Sequence, residues 1–184
     1  TATSVSDYAD FAGSTVTIPD GASTGTKSVT VVNDTLFENN ETVIGTISSP
    51  SDSAIQINTP SATATIMDND NGASSVSANL SVTSQGNETG LVAIVYTVTL
   101  AKTNNTGTAI TFNIAPTGGS ATVTNDYTDF TGTISVANGA VSGTRSVAVV
   151  DDALFENSET VQATISGPSD PAILIGTGVI SATI

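Results

Sequence analysis

The feature that most constrains this chain is an internal repeat. Residues 16–66, shifted by 118 positions, fall on residues 134–184, and more than half of the positions are identical. Matching blocks include Leu36-Phe37-Glu38 with Leu154-Phe155-Glu156, and Pro50-Ser51-Asp52 with Pro168-Ser169-Asp170. Ala64-Thr65-Ile66 likewise matches Ala182-Thr183-Ile184. Further upstream, a one-residue slip sets Asp7-Tyr8-Ala9-Asp10-Phe11 on Asp126-Tyr127-Thr128-Asp129-Phe130. Residues 73–121 have no upstream counterpart. One structural plan is therefore used twice. Residues 1–70 are the later part of one copy, expected to be incomplete at its N-terminus, and residues 71–184 are a nearly complete copy.

The apolar residues are mostly Val, Ile and Ala among abundant Thr and Ser, and aromatics make up only 4%. Branched side chains of this kind suit pleated surfaces, so the chain reads as all-β. No stretch carries a helical period. Residues 75–83, 91–100, 108–115, 133–136, 144–150, 160–166 and 179–184 read as strands. Asn138-Gly139, and Asp20-Gly21 in the first copy, read as hairpin turns. Seven short strands in about 100 residues fit an immunoglobulin-like sandwich.

Charge narrows the function. Seventeen acidic residues stand against three basic ones, Lys27, Lys102 and Arg145, for a net charge of −14. No basic patch can be built, which excludes nucleic acid and attraction to anionic membranes. No apolar run reaches the length of a membrane span. With no cysteine and no histidine, thiol catalysis, serine–histidine catalysis and the usual zinc sites are unavailable. Carboxylate pairs can cleave glycosides, but nothing suggests the aromatic cleft that sugar cleavage needs, and no enzyme is expected. Tyr8, Tyr127, Phe11 and Phe130 are expected to pack in or over the core.

The acids are clustered. Asp151, Asp152, Glu156 and Glu159 follow the apolar run 147–150, and Asp34, Glu38 and Glu41 follow 29–32. Asp7 and Asp126 stand in the Asp-Tyr pairs, Asp68 and Asp70 in a short linker, and Glu88 ahead of the long strand at 91–100. These places hold twelve of the seventeen acids. Like charges so gathered repel unless a cation offsets them. Calcium, which takes six to eight hard oxygens, fits a strand running into such a knot better than magnesium. Asp152, the Leu154 carbonyl, Glu156 and Glu159 are expected to supply ligands, with Leu154 and Phe155 anchoring the loop to the core.

The chain resembles the Calx-beta domain family. The resemblance rests on Glu88, Asn125-Asp126-Tyr127, residues 147–159 and Ala64-Thr65-Ile66-Met67-Asp68-Asn69-Asp70. It implies tandem Calx-beta sandwiches with calcium at one end. The implied ligands are Glu88, Asp126, Asp151, Asp152, Glu156 and Glu159, completed by the Asp-x-Asp that follows the last strand.

Taken together, these features lead us to expect a non-enzymatic structural module of an extracellular or cell-surface rod, fibre or filament, such as an adhesin stalk. Calcium would stiffen its joints. Its partners would be neighbouring copies, joined head to tail, with strand complementation as one mode of joining. The competing expectations are a calcium-sensing regulatory domain and a glycan-binding adhesion module.

Overall fold

The structure is a computed structural model that describes residues 1–152 and 155–184. It divides into two compact units. The first is Thr1–Thr35 with Asn40–Asp68, and the second is Leu36–Asn39 with Asn69–Ile184.

In the first unit, β1 (Glu41–Thr46) and β2 (Ser61–Ile66) pair antiparallel, with Glu41 opposite Ile66. None of this unit's residues is fully buried. Val16, Ile18, Val31, Ile44, Ile47 and Ile55 all stand largely in solvent. The turn at Asp20-Gly21 forms: Ala22 N–H donates to the Pro19 carbonyl at 3.0 Å, and Gly21 has a φ of 76°. The expected hairpin does not, since no strand ladder runs on either side of the turn. In the second unit the equivalent arms pair outward with other strands, 132–136 with 110–114 and 142–147 with 94–99.

Among the described residues, the second unit contains eight strands. They are β3 (Val76–Ser84), β4 (Ile94–Leu100), β5 (Ile110–Gly119), β6 (Gly132–Val136), β7 (Ser142–Val147), β8 (Thr160–Ser166), β9 (Ile173–Ile175) and β10 (Val179–Thr183). Two four-stranded sheets form, in the orders β10-β8-β5-β6 and β7-β4-β3-β9. The period-two alternation explains the pairing of faces. Ile94, Tyr96 and Val98 from one sheet and Ile110, Phe112 and Ile114 from the other point inward and are fully buried. Tyr96 crosses the core, and its hydroxyl donates to the Val161 carbonyl at 2.7 Å. Tyr127 and Phe130 pack beside it as expected, with the Tyr96 and Phe130 rings 5.4 Å apart.

Two details depart from the sequence reading. Strand β9, only three residues long, pairs parallel with β3 through Val76↔Ile173. Its few residues carry too little pattern to be read from sequence. Asn138-Gly139 is a turn, but not of a hairpin: β6 pairs with β5 and β7 with β4, so the chain changes sheets there. The corner is tight because a Cβ on Gly143 would lie 2.0 Å from the Ser135 carbonyl oxygen. Gly25 makes the same approach to Thr17 in the first unit, so the corner is kept there without the ladders.

Candidate metal centre

Three loops at one end of the second unit carry the acids. The first is the tight turn between β3 and β4. Asn87 and Val92 exchange backbone hydrogen bonds of 3.0 and 2.8 Å, and Leu91 N–H donates to the Glu88 carbonyl at 3.0 Å. The turn places Glu88 at the rim. The second is the β5–β6 connection. Asp126 N–H donates to the Thr122 carbonyl at 3.0 Å, and its carboxylate accepts the Thr122 N–H in return. The Asp126 carbonyl accepts from Val150 N–H at 2.9 Å, which ties this loop to the end of the β7 arm. Asp126 is buried, with 4% of its surface exposed. The third is the acidic segment 151–159. Glu159 and Ile184 exchange backbone hydrogen bonds of 3.1 and 2.9 Å, which fixes the returning arm beside β10.

Glu88, Asp126 and Glu156 each place a carboxylate oxygen within 4.8 Å of the others. Donors around one calcium lie within about twice a bond of 2.3–2.6 Å of each other, so this spacing fits a single ion. Glu159 joins them through a hydrogen bond to Asp126. Among the described residues, no lysine or arginine forms a salt bridge with Glu88, Asp126, Glu156 or Glu159. The donors are all hard carboxylate oxygens, so Glu88, Asp126, Glu156 and Glu159 would hold calcium, with Asp152 beside them.

The electrostatics agree. Partial desolvation in the loop, then the charges of Asp126, Asp152 and Glu88, push the Glu156 carboxyl up. Partial desolvation and the hydrogen bond with Asp126 push Glu159 up. In the first unit, burial and then Asp7 do the same to Glu41. A carboxyl raised in the folded state binds protons that the unfolded chain releases, so folding gains stability as pH falls through the raised value. That gain is complete below the ordinary glutamate value of 4.5. Asp129 runs the other way, lowered mainly by the Thr131 N–H, and its contribution is lost as pH falls below 3.8. The metal-free protein is therefore expected to melt highest on the acid side of neutrality. Thermal melts in chelator across pH 4–8 check this, and a midpoint that falls steadily with acidification would refute it.

The first unit repeats the aspartate loop bond for bond. Asp7 N–H donates to the Thr3 carbonyl at 3.0 Å, Val5 N–H to Tyr8 at 2.8 Å, and Val32 N–H to Asp7 at 2.9 Å. The corresponding donors in the second unit are Asp126, Thr124 and Val150. Val5 and Thr124, both β-branched, share a φ of 78°. Such a backbone is uncommon for these residues and is held by its surroundings.

The other predicted residues are distributed as follows. Asp7 and Glu41 are neighbours in the first unit, which also contains Asp34. Asp68 belongs to the first unit, and its N–H donates to the Asn40 side chain at 2.9 Å. Asp70 belongs to the second unit, where Lys102 Nζ meets its carboxylate at 2.6 Å. Asp70 precedes β3, whereas Glu88 follows it, so Asp70 is not among the Glu88–Asp126–Glu156 cluster. Glu38 also lies in the second unit, and its carbonyl accepts from the Asn71 side chain at 3.0 Å. Asp151 and Asp152 are exposed. The Leu154 carbonyl lies outside the described residues. The expected anchoring by Phe155 is wrong, because its side chain is fully exposed.

An all-β sandwich with carboxylates converging from three loops at the strand ends defines a non-helical metal-site module. The chain belongs to the Calx-beta domain family, whose sequence profile matches residues 1–70 and 81–183. No individual curated protein matches it at a significant level. Among solved structures it is similar to the apo-form Calx CBD1 domain, with a TM-score of 0.49 and 15% identity over 59% of this chain and 95% of that one. It is also similar to CBD12 from CALX1.2, at a TM-score of 0.47 and 16% identity, covering 58% of this chain and 43% of that one. The calcium binding domain CBD12 of CALX1.1 follows at 0.37 and 16%, covering 76% of this chain and 53% of that one.

Proposed function

We propose that the chain is a calcium-binding, non-enzymatic structural module of an extracellular rod, fibre or filament, assembled head to tail from units of its own kind. The observation that carries this reading is the carboxylate cluster of Glu88, Asp126 and Glu156 at the strand ends of one unit, with the same aspartate loop built again in the other. Repetition of a metal loop along a chain places cations at regular intervals, and a chain of −14 net charge needs them to relieve self-repulsion. A calcium-rich outside medium would keep weak sites filled.

Small-angle scattering with calcium and with excess chelator tests the reading. Calcium is expected to lengthen and stiffen the particle and to raise its melting midpoint. Unchanged dimensions and an unchanged midpoint would overturn it. Affinity separates this reading from a regulatory sensor: roughly 10⁻⁴–10⁻³ M suits an extracellular module and 10⁻⁷–10⁻⁵ M a sensor.

A further inference from the structure

The tetrapeptide Leu-Phe-Glu-Asn occurs twice, at 36–39 and at 154–157, and its two phenylalanines have opposite fates. Phe37 is fully buried, a member of the second unit's hydrophobic core, whereas Phe155 is 101% exposed. Within the second unit, hydrogen bonds hold Leu36–Asn39. Asn105 N–H donates to the Phe37 carbonyl at 3.0 Å, the Asn39 side chain to the Thr106 carbonyl at 2.7 Å, and the Asn71 side chain to the Glu38 carbonyl at 3.0 Å. Phe37 also bridges to Asn104 in a short parallel pairing. Asn104 is completely buried and satisfied, donating to the Thr108 and Val136 carbonyls and accepting from Thr106. This is a formed receptor for a phenylalanine and the asparagine two residues after it.

We infer that Phe155 is an intermodular plug, and that its partner is a further sandwich unit of this kind presenting the same receptor. The receptor of this chain already holds Phe37, so the partner is a following unit rather than a second copy of the chain as given. Asn157 matches Asn39 and is exposed. The inference rests on the head-to-tail reading above and names the contact by which one unit would grip the next.

The test extends the full chain by a further copy of residues 67–184. Because Ala182-Thr183-Ile184 matches Ala64-Thr65-Ile66, the junction reproduces the native one. All phenylalanines carry a fluorine label for ¹⁹F NMR, with Phe155→Leu used for assignment and a soluble paramagnetic agent reporting exposure. In the original chain the Phe155 resonance is expected to broaden strongly and that of Phe37 to be protected. In the extended chain Phe155 is expected to become as protected as Phe37, while the last unit's own copy stays exposed and serves as the internal reference. A Phe155 resonance that broadens as much as that last copy would overturn the inference. The rod reading would survive that result if scattering still showed calcium-dependent stiffening, so the two failures are distinguishable.

Discussion

Replacing Phe37 with alanine is expected to destabilise the second unit by about 3–5 kcal/mol, the range for truncating a buried aromatic. The side chain is fully enclosed, so the change leaves a cavity as well as losing apolar burial. It also removes the apolar anchor of a segment that hydrogen bonds hold to Asn71, Asn105 and Thr106. The effect is notable because Phe37 belongs by sequence to the first copy. Differential scanning calorimetry would read it as a large drop in the transition assigned to residues 69–184. A drop of less than about 0.5 kcal/mol, the usual size for a surface change, would mean that the segment contributes little to that core. The same truncation at Phe155 opens no cavity, since that ring is already in water.

Changing Asp126 to asparagine is expected to weaken calcium binding by about tenfold or more, at least 1.4 kcal/mol. Asparagine keeps the shape and can still accept the Thr122 N–H, but it removes the one buried charge of the cluster. Without calcium the same change is expected to raise the melting midpoint. It relieves the repulsion that pushes Glu156 and Glu159 up. Isothermal titration and melts in chelator check the two halves. Unchanged affinity would remove Asp126 from the site, and a lowered metal-free midpoint would show that its hydrogen bonds outweigh the repulsion. Glu156→Gln is the companion change, at an exposed position where the fold should not respond.

The strand plan was legible because alternation at 110–114, 160–166 and 94–100 decides which face is buried, and burial decides the strands. The family was legible because its acids recur at fixed distances from apolar runs. Loop closure was partly legible: the segments bearing Glu88, Asp126 and Glu156 could be named. That Lys102 holds Asp70 could not be, because Lys102 and Asp70 meet only once β4 has run its length. The fate of Phe37 was hidden for a related reason. Its receptor is made of residues 104–106, which carry no periodic signal and acquire meaning only when Asn104 is enclosed. The identity of the tetrapeptide in both copies was the available clue, and it reads equally well as a loop anchor. The turn at Asn138-Gly139 was recognised but its consequence was not, since a turn fixes a change of direction and leaves the choice of sheet to the partners.

The placement of β3 and β10 has a mechanical consequence. Both strands run the same way, with Leu80 N–H bonded to the Thr177 carbonyl at 2.7 Å near their starts and Gly86 N–H to the Thr183 carbonyl near their ends, so the start of β3 and the end of β10 are far apart along the strands. Tension applied along the chain would pull those ends apart lengthwise. The Val76–Ile173 pairing, the Gly86 N–H to Thr183 bond of 2.8 Å and the Glu159–Ile184 pair would all be strained sideways at once. Bonds arranged so share the tension and must fail together, whereas a hairpin pulled open at its mouth parts one pair at a time. Pulled along its own chain direction, the unit would meet these backbone contacts in shear, and no side-chain substitution removes them directly.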